Sequence, residues 1–360
     1  MMRSLIVLFI LPFFSCHSQE FSKINTEKWS YKEMKIPEDA YVVDSHYFKN
    51  MDDHTTLLQE IINKYQVVVL PPKQLNINYR GLSLKTNSQL YFQEGSVLKM
   101  LKNDKGTYAV IKIDNVNNVK VYNPHLIGDR DEHIGDSGEW GMGIDIRSSN
   151  NVRIDNPYIR NMWGDGIYFG VRSSKKVNEN ILVEGGLIDY SRRNGISITS
   201  GKNIRINNVS IYNTYGVNPM AAIDIEPNKN SIIVSDIVLD NIKTFNNAFS
   251  GLTIALSHLR HTKHKVSNIT VRNHYDRGSV HALRIGPVSA PWATGDIQIL
   301  DANWAENTSF PFIFSDITKT SLKVGIKNSL LDNKPLNKEA AVKNVKGEVN
   351  NRLENNFQFN

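Results

Sequence analysis

Gly143-Ile-Asp-Ile146, Gly166-Ile-Tyr-Phe169, Gly195-Ile-Ser-Ile198 and Ala222-Ile-Asp-Ile225 are four versions of one short strand. The same pattern recurs upstream as Val110-Ile-Lys-Ile113. Downstream it returns as Gly251-Leu-Thr-Ile254, Ala282-Leu-Arg-Ile285 and Pro311-Phe-Ile-Phe314, with a repeat of 23 to 33 residues. A second strand follows the first: Asn118-Val-Lys-Val121, Asn151-Val-Arg-Ile154, Asn180-Ile-Leu-Val183, Asn203-Ile-Arg-Ile206 and Asn268-Ile-Thr-Val271. Period-two alternation points one side chain inward and the next outward. A single coil of such strands cannot bury its inner face, but a stack of coils can. Asn and Gly at the turns tolerate left-handed backbone, and Asn repeated at one turn can stack into a hydrogen-bonded ladder. The pattern predicts an all-β chain: a single-stranded right-handed parallel β-helix. Thr55 to Tyr65 carries apolar residues at helical spacing and predicts an N-terminal capping helix over the open end of the stack.

The composition agrees with this reading. The chain has 360 residues, 40% hydrophobic and 22% charged, which excludes a disordered chain. One apolar run, near the start, is too short for a multi-span membrane protein. Cys16 is the single cysteine, so a disulfide framework and a cysteine-based zinc site are excluded. The net charge of +6 favours an anionic partner. Asn is abundant, at 41 residues, and concentrated at the repeated turns.

Residues 1–18 have the features of an export signal: Arg3, an apolar core from Leu5 to Phe14, and small residues up to Ser18. Cleavage near Ser18 would release a soluble protein to the periplasm or medium. Alternatively, Phe13-Phe14-Ser15-Cys16 loosely matches a lipoprotein box and would anchor the chain through Cys16. Residues 19–330 are expected to form the β-helix, and 331–360 an Asn- and Lys-rich tail or final cap.

This layout, over roughly residues 40 to 330, resembles the pectin-lyase-like superfamily of carbohydrate-active proteins. The resemblance implies the fold and a carbohydrate partner. It leaves the reaction open among polysaccharide lyases, glycoside hydrolases, uronate epimerases and non-catalytic fibres.

Matched strands place matched positions in rows. The outward row of the repeated strand is Lys112, Asp145, Tyr168, Ser197, Asp224, Thr253 and Arg284. The next contains Asn115, Arg147, Gly170, Thr199, Glu226, Ala255 and Gly286. Just before the strand come Met142, Asp165, Asn194, Ala221, Ser250 and His281. Loops bordering this face carry Trp140, Trp163, Tyr190, Tyr212 and Tyr215, aromatic walls suited to pyranose rings.

Catalytic candidates are Tyr168, Arg193, Asp165, Asp224, Glu226 and His281. A buried or paired carboxylate such as Asp224 beside Glu226 can serve as acid or base. Asp145 and Asp224, three coils or about 14 Å apart, are too distant for a hydrolase pair. Asp165 can pair with either. Substrate-binding candidates are Asp145, Arg147, Trp140, Trp163, Arg192, His133, Arg284 and His258, with Arg side chains suited to sugar carboxylates or sulfates. No metal ligand set is assigned: His258, His261 and His264 lie in a loop whose spacing is weak for zinc. No cofactor is expected, although Asp129, Asp131, Glu132 and Asp136 in the 128–136 loop offer oxygens to calcium. A polar loop salt-bridged by Arg130 is the other reading of that segment.

The expected partner is an anionic polysaccharide or oligosaccharide, bound by a monomer. The dispersed basic residues and lack of a reading motif argue against nucleic acid. Arg193, Tyr168 and a His can supply β-elimination at a uronate, making the chain a polysaccharide lyase or an oligosaccharide dehydratase. Hydrolysis or epimerisation through paired carboxylates is a second reading, and binding without turnover a third. The Asn-Thr-Asp, Asp-Asp, Gly-His-Gly and Arg-Ile-Lys blocks of polygalacturonases are absent in the expected order. So is the Asp-Pro-His block of mannuronan epimerases.

Overall fold

The computed structural model describes residues 23–26, 28–172, 176–228, 232–259, 265–286, 293–315, 321–346 and 357–359. The leader, Cys16, His261 and His264 lie outside these residues. The chain is a parallel β-solenoid. Each coil passes through a strand of a ten-stranded sheet, then an Asn-turn strand and a short third strand, both in a 22-stranded sheet. One such coil is Trp140–Arg147, Asn150–Asp155 and Tyr158–Arg160. Among the described residues, Leu330–Leu331 with Lys334–Pro335 is the one antiparallel pairing.

The register explains the sequence repeat. Ile144, Ile167, Ile196, Ile223, Leu252, Leu283 and Phe312 form one column down the ten-stranded sheet. All are fully enclosed in the core. Removing such a row from water is the main favourable term in folding.

At the turn before the second strand, Asn87, Asn118, Asn151, Asn180 and Asn203 hold φ between 54° and 66°. Left-handed backbone is costly for most residues but accessible to Asn. Their amides bond along the axis: Asn118 donates to Asn87 at 2.9 Å, Asn151 to Asn118 at 2.7 Å and Asn203 to Asn180 at 2.6 Å. Asn180 donates instead to the neighbouring Asn150 at 3.0 Å. A second left-handed row runs through Asn123, Asn156, Asn208, Asn241 and Asn273.

The expected helix is present as α1, Thr55–Lys64, burying Leu58, Ile61 and Ile62. Its Gln59 engages the N–H and C=O of Ser83 on the outermost strand of the ten-stranded sheet. At the other end the stack continues past residue 330. Val345–Lys346 pairs with Phe312 and Ile313, and Phe357–Phe359 with Val324–Ile326. One row member needs correction: Asp114, not Asn115, aligns with Arg147. Asn115 turns away at φ 56°.

The N-terminal arm, residues 23–26 and 28–36, lies outside the coils. Its backbone is held by Asn side chains: Asn123 at Lys32, Asn156 at Ser30 and Asn213 at Ile24.

Candidate functional site

The outward row of the ten-stranded sheet forms as expected, with Lys112, Asp145, Tyr168, Ser197, Asp224, Thr253 and Arg284 in register. Asp224, the fifth of these seven, is 2% exposed. Asn194 donates to its Oδ2 at 3.4 Å, while Oδ1 is buried without a hydrogen-bond partner. Burial pushes the carboxyl up to about 7, Glu226 adds to the shift, and Arg193 opposes it. This is the chemistry of a group that exchanges a proton near neutrality.

Asn194 also links Asp224 to Asp165. Its backbone N–H donates to Asp165 Oδ1 at 3.1 Å, and its side chain donates to Ser197 Oγ at 2.9 Å. Of the two carboxylates weighed as partners for Asp165, the structure thus ties Asp224 to it. Arg193 donates to Asp165 at 3.0 Å and lies 4.0 Å from Glu139. Burial raises the Asp165 carboxyl, and Arg193 opposes that shift. Arg193 is therefore already neutralised by protein carboxylates. Glu226, half-buried, follows Asp224 on the same strand face.

Toward the N-terminal end, Arg147 Nε holds both oxygens of Asp145, at 2.8 and 2.9 Å, and its guanidinium lies 4.9 Å from the Tyr168 ring centroid. Burial raises the Asp145 carboxyl against the pull of Arg147. Gly170 makes room for Tyr168, since a Cβ there would approach the ring to 2.4 Å. Thr199 Oγ1 has one hydrogen, and the Phe169 carbonyl at 2.9 Å can only accept it. The Tyr168 hydroxyl lies 3.2 Å from Thr199 Oγ1, which shares its hydrogen between the two oxygens, and accepts from Asn228 at 3.3 Å.

The bordering loop is a packed wall. Trp163 is buried, with His133 stacked 3.9 Å away and the Arg192 guanidinium 3.6 Å from its ring. Its ring is not a platform for sugar, as the sequence reading had expected. Arg192 also donates to the carbonyls of Gly138 and Asp136, so it pins this loop instead of facing a ligand. His133 is enclosed and bonded to Asp129 at 2.8 Å, and Asp129 also accepts from Asn103 and the Tyr108 hydroxyl. The acidic residues weighed as calcium ligands face separate partners: Asp131 takes Asn161, and Glu132 takes Lys99. Arg130 lies over Tyr190. Among the described residues no group of three His, Cys, Asp or Glu is arranged to hold a metal. Trp140, at 44% exposure, and Tyr215, at 40%, are open aromatics among those bordering this face.

His281 is buried, its Nδ1 2.6 Å from the Phe310 carbonyl. His258 is exposed on the short turn Ser257–Leu259. Arg284 lies two strand spacings from Asp224, about 9.6 Å, with its guanidinium 5.6 Å from the Phe249 ring. Among the described residues Arg284 forms no ion pair. Sequence reasoning missed the bridging role of Asn194, although its place in the row before the strand was visible. It also missed Asn228 at Tyr168 and the link of Tyr108, 21 residues upstream, to the Asp129–His133 pair of the 128–136 loop.

No family model matches the chain. An uncharacterized protein of Bacillus subtilis, YclG, is 30% identical over 168 residues, covering 42% of this chain and 29% of that protein. A second, the prophage-derived YorA of the same organism, is 24% identical over 162 residues, 41% of this chain and 28% of that protein. The chain thus spans under a third of the length of these relatives. Among solved structures, the A-module of the Azotobacter vinelandii mannuronan C-5 epimerase AlgE6 aligns with a TM-score of 0.60 at 16% identity, over 79% of this chain and 85% of that one. An iota-carrageenase complexed to iota-carrageenan fragments gives 0.52 at 14% identity, over 74% and 61%. The polygalacturonase of Erwinia carotovora gives 0.53 at 15%, over 94% and 100%. These likenesses establish the right-handed parallel β-helix fold.

Proposed function

We propose that the chain acts on a uronate-containing polysaccharide or oligosaccharide by β-elimination, with Asp224 as the base. The observation that carries this is the Asp224 carboxyl, buried on the outward row with Oδ1 unpartnered, where burial pushes it up to about 7. A base poised near the working pH is the most effective for proton abstraction. Arg284 neutralises the sugar carboxylate, which acidifies the C5–H bond. Asp224 takes the C5 proton, the electron pair forms a C4=C5 double bond, the C4–O bond breaks, and the leaving oxygen is protonated from solvent. A glycosidic C4 oxygen makes the enzyme a lyase; a free hydroxyl makes it a dehydratase. The roles given in the sequence to Arg193 and Tyr168 pass to Arg284 and Asp224, because Arg193 is held by Asp165. The solenoid neighbours that act on mannuronan, carrageenan and polygalacturonate support a polysaccharide as partner. Export through the apolar leader, into the periplasm or medium or to a lipid anchor at Cys16, belongs to this reading.

The coupling of Asp165 to Asp224 through Asn194 favours a second reading, hydrolysis with Asp224 as general acid. The two readings make opposite demands on protonation. A base must be ionised, so turnover rises as pH passes about 7; an acid must be protonated, so turnover falls there. The test is incubation with alginate, polygalacturonate and iota-carrageenan and their oligosaccharides, following ultraviolet absorbance and product mass across pH. New absorbance that rises with pH supports elimination. Shorter chains without absorbance replace it with hydrolysis.

A further inference from the structure

Asn194 is fully enclosed between the two carboxyls of the outward face, and each of its polar groups has a defined task. Its Oδ1 accepts from the Ala221 N–H at 2.9 Å. A backbone N–H can only donate, so the amide has one orientation. Its NH2 group therefore faces Ser197 Oγ at 2.9 Å and Asp224 Oδ2 at 3.4 Å. Its own backbone N–H donates to Asp165 Oδ1 at 3.1 Å. The two carboxyls meet unequal company. Asp165 takes that N–H and the Arg193 guanidinium, at 3.0 and 3.3 Å. Among the described residues, no cation lies within ion-pair distance of Asp224, and Asn194 supplies its one hydrogen bond.

We propose that Asn194 is a positioning residue: with Ser197 it sets the proton affinity of Asp224, the carboxyl of the pair that exchanges the proton while Asp165 stays ionised. Its consequence for turnover rests on the reading of Asp224 as the base. Burial disfavours the charged form of both carboxyls, and donors to the charged form restore it. Asp165 has a guanidinium and a backbone N–H; Asp224 has a single long contact. The charged groups facing Asp224 are Glu226 on its own strand and Asp165, which raise it, and Arg193 and Arg284, which oppose them. Ser197 and Thr253, beside it on the neighbouring strands, carry no charge. Asn194 reaches Asp224 only through its NH2 group, and Ser197 Oγ competes for that group. Asn194→Ala removes the donor from Asp224, whereas Ser197→Ala leaves the amide to Asp224 alone. The two substitutions therefore shift Asp224 in opposite directions. Loss of packing lowers stability in both and gives no such opposition.

The test is the melting temperature of the full chain from pH 4 to 9, for the parent, Asn194→Ala and Ser197→Ala, each with and without Asp224→Asn. The difference within each pair isolates the Asp224 contribution. A carboxyl raised on folding gives stability that is lost as pH rises, and the loss levels off above its folded-state pKa. Asn194→Ala is expected to move the levelling point up by about one pH unit, tenfold in proton affinity, the effect of one charge-assisted hydrogen bond. Ser197→Ala is expected to move it down. A levelling point that stays in place in both folded variants overturns the proposal. If Asn194→Ala does not fold, Ser197→Ala decides alone: a downward shift supports the proposal, and no shift or an upward one overturns it. The pH profile of kcat/KM on alginate, polygalacturonate and iota-carrageenan oligosaccharides is the second readout, and its acid limb should follow the same two shifts. Opposed melting shifts with no product from any substrate keep the role of Asn194 and sink the proposed reaction. Product formation with neither the limb nor the levelling point moved does the reverse.

Discussion

Two axial rows of this solenoid share one spacing and have opposite chemistry. The turn row repeats a single residue, Asn87 through Asn203, and its amides bond one another along the axis except at Asn180, which turns to Asn150. The outward row of the ten-stranded sheet is mixed: Lys112, Asp145, Tyr168, Ser197, Asp224, Thr253 and Arg284. A uniform polar row can close its hydrogen bonds internally, which suits structure. A mixed row cannot, and leaves groups such as Asp224 Oδ1 buried and unpartnered.

Buried carboxylates make the same contrast. Asp276 is enclosed in the core and accepts from Thr244 and Ser279 at 2.6 Å and Asn307 at 2.9 Å. The directions are fixed by Trp304, whose indole can only donate, to His274 Nδ1 at 3.1 Å. His274 therefore carries its hydrogen on Nε2 and gives it to Thr244, which passes its own to Asp276. Burial pulls His274 down to about 3 and raises Asp276 to about 6, with the three donors resisting the rise. Asp224, with one long hydrogen bond, is pushed to about 7. One carboxyl is held by three donors; the other is left with a single long hydrogen bond.

The largest test of this contrast is Asp224→Asn, expected to cut turnover by about a thousandfold or more. It should also stabilise the fold. A folded-state pKa raised from 3.8 to about 7 means the folded state keeps a proton that the unfolded state has lost. Stability of the parent therefore falls as pH rises between those values, and the variant escapes a cost of up to about 4 kcal/mol above pH 7. Melting curves from pH 3 to 8 check this; a variant less stable than the parent at pH 8 would make Asp224 a structural residue. Next, Arg284→Ala should lower kcat/KM on uronate substrates by about a hundredfold, measured by initial rates, with melting unchanged. In the core, Thr244→Val interrupts the His274–Asp276 chain and should cost about 2–3 kcal/mol in denaturant unfolding, without touching kcat. The smallest effect belongs to the ladder. Asn151→Ala, at φ 55°, should cost about 1–2 kcal/mol, and Asn151→Gly less, because glycine keeps the left-handed turn. Equal losses for both would assign the cost to the amide bonds alone.

Much of the architecture was legible because the repeat is local. Each coil writes its own inward isoleucines and its own left-handed Asn, so rows could be drawn by matching positions. Helix α1 was legible for the same reason. What escaped was everything set by loop paths between coils. Trp163 looked like a sugar platform but is covered by His133 and Arg192, which arrive from separate turns. Arg193 looked like a neutraliser, but Asp165, 28 residues earlier in the chain, already occupies it. The N-terminal arm gave no periodic signal, yet ladder amides hold it against three coils.

The amino-acid sequence by itself determined the solenoid, the alignment of its rows and the face that carries mixed charge, because alternation and turn chemistry act over a few residues. Only the tertiary structure decided which charges are spent on one another and which remain for a ligand. Ion pairing and desolvation depend on side chains brought together from coils about thirty residues apart, and no local pattern encodes their distance or burial.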